Sequence, residues 1–179
     1  MKSTTVLRNL SLYQFTHKRV EAIATELRKA ALLPQGGRRY GTELTCEQAA
    51  LFALAVAGAE RVSDAADVAT KLAALVNSRG DATLLRFVAD AICEPTMARE
   101  VRHARVIFES SMAEVTMRTG QVERFFPAHE WAKSAFVPDA QGQGFVGRIG
   151  HIGGAVLEQL AIDHTFNDAH IEDEGEWIA

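Results

Sequence analysis

From Val20 to Ile92 the apolar residues recur at the three-and-four spacing of a helix, and from His103 to Phe126 they alternate. Val20, Ile23, Leu27 and Ala31 form one stripe and predict a helix from about Thr16 to Leu32, with Thr16 as its N-cap. Pro34 and the pair Gly36–Gly37 stop that helix and open a loop over residues 33–43. No element is assigned before Thr16. Thr45 and Gln48 have the spacing of a capping box and start a second helix near Cys46. Its body, AALFALAVAGA, is apolar on nearly every side, which places it at the centre of the helical part. Ser63 caps a third helix, with Asp64 and Asp67 in its first turn, where the dipole favours acids. Val68, Leu72, Leu75 and Val76 are its core positions. A fourth helix buries Leu84, Leu85, Val88, Ala91 and Ile92 and ends at Pro95.

The period then shortens. Three strands are expected, at about 103–109, 113–118 and 121–126, with turns at Ser110–Ser111 and Thr119–Gly120. Ala104, Val106 and Phe108 make the greasy face of the first, and Ala113, Val115 and Met117 that of the second. Residues 127–147 read as a long connection. A last helix is predicted from about Ile152 to Asp163, and Gly150, Gly153 and Gly154 allow it to start close against a neighbour. The expected fold is therefore α+β and mostly helical: a four-helix N-terminal part, a three-stranded antiparallel meander and a C-terminal helix. In domain terms this gives a basic helical part over 1–95, the meander and its helix over 101–165, and an acidic tail over 166–179.

Composition keeps the chain among ordinary globular proteins, with 47% hydrophobic and 23% charged residues in 179. The longest apolar run, Ala49–Ala59, is too short to span a bilayer, which takes roughly 20 residues, so no membrane partner is expected. The N-terminus has no apolar stretch of the secretory kind. Cys46 and Cys93 stand far apart in helical patterns, which predicts neither a zinc site nor a disulfide framework and implies a reduced, cytoplasmic setting.

Charge is the strongest functional signal. Residues 1–40 carry Lys2, Arg8, Lys18, Arg19, Arg28, Lys29, Arg38 and Arg39 against only Glu21 and Glu26, in a chain whose net charge is −4. From Ile149 onward there is no Lys or Arg, but Glu158, Asp163, Asp168, Glu172, Asp173, Glu174 and Glu176. A basic end seeks polyanions, and an acidic end repels them or shields the basic one. His17, Lys18 and Arg19 sit in the first turn of a helix, a position that suits them when an anion is bound there. Arg38 and Arg39 follow two glycines on a turn, where guanidiniums can fork to phosphate or to guanine edges. The expected DNA-contacting set is His17, Lys18, Arg19, Arg28, Lys29, Arg38 and Arg39.

Leu27–Tyr40 (LRKAALLPQGGRRY), followed by a polar cap and an apolar helix at Thr45, resembles the helix–wing–helix stretch of MerR-type winged-helix regulators. The Leu-Leu-Pro-x-Gly-Gly-Arg stretch, the Ala-rich helix after it and the Arg-containing meander are also similar to small bacterial prophage proteins. A duplex-DNA partner and a homodimer are expected with the DNA-binding reading, because tight site recognition needs two half-sites.

Other motifs give way to simpler accounts. Gly142–Gly147 matches G-x-G-x-x-G but follows Pro138–Asp139–Ala140–Gln141 rather than a strand, so it reads as a linker and no cofactor is expected. Asp163–His164 and Asp168-x-His170 are conceivable metal ligands, but no two histidines are four apart, and His129–Glu130 lacks the second histidine of a zinc protease. Ser110, Ser111, Glu109 and Glu114 read as turn chemistry, and no catalytic residue is assigned. Arg105, Arg118 and Arg124 alternate with Glu109, Glu114 and Glu123, as expected of cross-strand ion pairs. The leading expectation is a non-enzymatic DNA-binding regulatory or accessory protein of mobile-element type. The alternative is a protein-interaction module, such as a phage-encoded inhibitor or assembly adaptor, using the sheet face or the acidic tail.

Overall fold

The computed structural model describes residues 1–13, 16–35, 42–107, 112–128 and 149–173, with backbone alone at 13, 149 and 166–173. The fold is α+β. In chain order the helices are α1 (Ser3–Tyr13), α2 (His17–Lys29), α3 (Cys46–Gly58), a 3-10 turn (Val62–Asp64), α4 (Ala65–Ala73), α5 (Leu84–Cys93), α6 (Pro95–Glu100) and α7 (Gly154–Asp173). The strands are β1 (Val76–Asn77), β2 (Val101–Ile107), β3 (Met112–Met117), β4 (Val122–Phe126) and β5 (Ile149–Gly153). They form one antiparallel sheet in the order β1-β4-β3-β2-β5.

The centre is α3, with ten of its thirteen residues buried. The Thr45 hydroxyl accepts from the Gln48 N–H and the Gln48 side chain accepts from the Thr45 N–H, which satisfies two orphan donors at the helix start. Helices α1, α2, α4 and α5 pack around it. One continuous core runs from Val6 and Ile23 through Phe52 and Leu84 to Phe125, Ile152 and Leu160. Each of the larger side chains contributes about 1.5–3 kcal/mol by leaving water.

The three expected strands are present, shifted by a residue or two, and Ala104, Val106, Ala113 and Val115 face the core. They are the middle of a larger sheet. Two strands absent from the sequence reading complete it: β1, a two-residue strand paired with β4, and β5, which pairs along β2 from His103 to Ile107. The last helix starts two residues later than expected and continues to Asp173, through backbone expected to be tail. Pro95 ends α5 as expected, but it also occupies the first turn of α6, where its missing N–H costs nothing.

The N-terminal segment adds a helix to the four expected in this part of the chain. Residues 3–13 form a helix whose Val6 and Leu10 enter the core and whose Asn9 is buried. The Asn9 amide donates to Asp163 Oδ2 at 2.8 Å, and Asp163 Oδ1 accepts from Gln159 at 3.0 Å. Tertiary contacts with α7 stabilise an eleven-residue helix that would be marginal alone. The chain before α1 is tied to the chain before α3 by Leu44 N–H to Met1 O (2.7 Å) and Ser3 N–H to Thr42 O (2.8 Å).

Gly154 shows why the last helix begins where it does. A Cβ there would lie 2.1 Å from the Val101 carbonyl oxygen, so only glycine lets α7 start against β2. The expectation of a close approach by the glycines before this helix is borne out at that position.

Candidate nucleic-acid interface

The basic segment forms two packed helices, α1 and α2, joined by residues 14–16. Val20, Ile23, Ala24 and Leu27 bury one face of α2, so His17, Lys18, Glu21, Thr25 and Lys29 are left exposed. Thr16 is the N-cap, as expected, but its side chain makes no capping hydrogen bond, and no acid lies in the first turn. At the helix start the Arg19 and Val20 N–H groups both donate to the Thr16 carbonyl, at 3.0 and 3.2 Å, which leaves the His17 and Lys18 N–H groups without an intrahelical acceptor. The positive end of the helix dipole thus has no hydrogen bond from the Thr16 side chain, and it lies beside exposed Lys18 and His17.

The expected DNA-contacting residues are not one uniform patch. Lys18 is exposed. His17 Nδ1 lies 3.4 Å from the Ser11 hydroxyl of α1. The Arg19 guanidinium turns inward and donates to the carbonyls of Ala59 and Glu60, holding the C-terminal end of α3. Arg19 therefore anchors α2 and does not stand free on its surface. Arg28 is half-buried, and its Nε has no hydrogen-bond partner among the described residues. Lys29 pairs with Glu26 at 2.7 Å on the surface, a contact worth a few tenths of a kcal/mol. Arg38 and Arg39, with the rest of residues 36–41, where a loop was expected, lie outside the described residues.

Between α1 and α2 runs a groove of about 540 Å³, lined by Leu7, Arg8, Ser11, Leu12, His17 and Glu21 among others. Leu12 is 71% exposed, the largest exposure of any large apolar side chain described. Arg8 reaches Asp163 of α7 at 3.6 Å, so one acid of the C-terminal section lies against the basic segment. No family model, curated protein or solved structure matches this chain.

Two other clusters are of chemical interest. On the sheet face opposite the core, His151, Arg105, Glu114 and Arg124 stand in register across β5, β2, β3 and β4. Arg124 Nε donates to Glu114 at 3.0 Å, which bears out cross-strand pairing there, whereas Arg118 instead reaches Glu158 on α7 at 3.5 Å. The rings of His103 and His151 are 5.2 Å apart. Burial, and then the neighbouring Arg105 guanidinium, hold both imidazoles below the ordinary value; for His103 the charges of His151 and Arg102 add to this and Glu114 opposes it.

The second cluster corrects the cysteine reading. Cys46 and Cys93 are joined in a disulfide, with Cα atoms 5.9 Å apart, because the start of α3 packs beside the end of α5. One ring nitrogen of His164 on α7 completes a group whose donor atoms all lie within 4.8 Å of one another. Neither residue spacing nor a local motif marks this group. The one available signal was that both cysteines fall at the ends of predicted helices. The isolation of the cysteines therefore no longer argues for a reduced setting. Among the described residues, no helix is long and apolar enough to cross a membrane. The turn at Ser110–Ser111, the connection at 129–148 with its glycine motif and His129–Glu130, and residues 174–179 of the tail lie outside the described residues.

Proposed function

We propose that the protein is a cytoplasmic, non-enzymatic DNA-binding regulator or accessory protein of mobile-element type, with the exposed face and N-terminal end of α2 set against the phosphate backbone. The observation that supports this most is the start of α2: no capping bond from the Thr16 side chain, no acid in the first turn, and His17 and Lys18 exposed beside its N–H groups. Phosphate oxygens satisfy such donors and the dipole together. Lys18, Arg28 and Lys29 are the described contacts in this reading, Arg38 and Arg39 extend them, and Arg19 holds the helix in place. A monomer with so few contacts binds weakly, and a homodimer doubles the set.

The test is a titration of random duplex DNA at low and moderate salt, with wild type, Lys18→Ala/Lys29→Ala and Arg38→Ala/Arg39→Ala side by side. Each phosphate contact removed lowers the slope of log K against log salt by about 0.9. Absence of binding at low salt, or a slope unchanged in both variants, sinks the reading. Leu12, exposed in the α1–α2 groove, favours a second reading as a protein-interaction module. In that case Leu12→Ser abolishes partner capture while the lysine and arginine variants retain it.

A further inference from the structure

The ends of two helices and the middle of a third converge at the Cys46–Cys93 disulfide. Cys46 is the first residue of α3, Cys93 is the last of α5, and His164 projects from α7. We propose that, when the disulfide is reduced, Cys46, Cys93 and His164 hold a zinc-class cation, and that formation of the disulfide releases it. This site is separate from the α2 surface and does not depend on DNA binding.

The dimensions suit both states. A tetrahedral zinc ion takes thiolate sulfur at about 2.3 Å and imidazole nitrogen at about 2.0–2.1 Å, so its ligand atoms stand roughly 3.5–3.8 Å from one another. The three donors already lie within 4.8 Å of one another on helices packed together, and the Cα–Cα distance of 5.9 Å leaves room for the sulfurs to part by side-chain rotation. Two thiolates and an imidazole select zinc-class ions over magnesium or calcium, which require oxygen ligands. The C-terminal end of α5, at Cys93, carries the negative end of the helix dipole and favours a nearby cation. Cys46 is buried, His164 half-buried and Cys93 exposed, so the cluster opens to solvent on the Cys93 side. Water supplies the fourth ligand there, and an oxidant enters by the same route.

The oxidant is a low-molecular-weight disulfide. The Cys93 thiolate attacks one of its sulfurs, forms a mixed disulfide and expels one thiolate. The Cys46 thiolate then attacks the Cys93 sulfur, closes the Cys46–Cys93 bond and expels the second. Two electrons pass to the oxidant, its two thiolates take protons from water, and the cation, left with His164 alone, departs hydrated.

The experiment uses the full chain, reduced with a phosphine, freed of reductant and titrated with cobalt(II) and then zinc. The expected result is one cobalt per chain with a thiolate-to-cobalt charge-transfer band, displacement by zinc, and release on adding a low-molecular-weight disulfide with two thiols consumed per ion. His164→Gln keeps both sulfurs and the disulfide. It should weaken binding at least as much as the roughly 10–100-fold loss that follows removal of a residue that merely orients a ligand. Circular dichroism of each reduced, metal-free sample reports whether the fold persists. A folded, reduced protein without the thiolate band overturns the proposal, as does His164→Gln binding like wild type. If reduction unfolds the chain and zinc does not restore it, the disulfide is a structural staple only and the proposal also falls.

Discussion

Breaking the Cys46–Cys93 bond isolates one energetic contribution of this fold. The bond spans 47 positions and ties α3 to α5. In the chain-entropy model, a loop of that size removes enough freedom from the unfolded chain to stabilise the native state by about 4 kcal/mol at 25 °C. Residual structure in the unfolded chain lowers that value, so about 4 kcal/mol is an upper figure. For a chain of this length each kcal/mol moves the melting temperature by roughly 2–4 °C, so reduction lowers it by up to about 8–16 °C. Urea unfolding of the oxidised protein, the phosphine-reduced protein and Cys93→Ser, all in metal-free buffer, measures the loss. The reduced protein and Cys93→Ser should unfold at similar, lower urea concentrations. A midpoint that does not move when two thiols appear would show that the crosslink does not constrain the unfolded chain as reasoned. A Cys93→Ser protein as stable as the oxidised one would show the same.

Three further outcomes follow from particular residues. Gly154→Ala puts a Cβ 2.1 Å from the Val101 oxygen and 2.8 Å from the Arg102 oxygen, both backbone atoms, and should cost about 1–3 kcal/mol or more in thermal unfolding; a loss within about 0.5 kcal/mol contradicts the close approach. Ala31 closes α2 with φ 58°, a left-handed conformation costing a non-glycine residue about 1 kcal/mol, so Ala31→Gly should stabilise by up to about that amount in the same assay. His103 and His151 titrate below 6.5 in the folded protein, so below about pH 6.5 the unfolded chain binds more protons and stability falls as pH drops through the folded values. NMR titration should show both values below 6.5 and both rising in Arg105→Gln, and His103→Gln/His151→Gln should flatten the acid-side loss of stability.

Some elements were legible in the sequence because their causes are local. The capping box at Thr45 and Gln48 and the all-round apolar body after it need only neighbouring residues, and both appear where the pattern puts them. The alternation through Ala104, Val106, Ala113 and Val115 likewise marks a buried sheet face whatever else the chain does. Of the candidate site, exposure of Lys18 and Lys29 followed from the stripe at Val20, Ile23 and Leu27, since a helix that buries one face presents the other. The inward turn of Arg19 did not follow, because its acceptors, the carbonyls of Ala59 and Glu60, lie forty positions or more along the chain.

By itself, then, the sequence determined an α+β chain with a central apolar helix, a core strand meander and a basic first segment. Tertiary structure alone decided the rest. Residues 3–13 are helical because Val6 and Leu10 find a core and Asn9 finds Asp163, a partner 154 positions away. Residues 149–153 are a strand because β2 offers an unpaired edge. Cys46, Cys93 and His164 meet because three helices pack side by side. Periodicity and capping report short-range energies, whereas these contacts repay loop-closure entropy only after the intervening chain has folded.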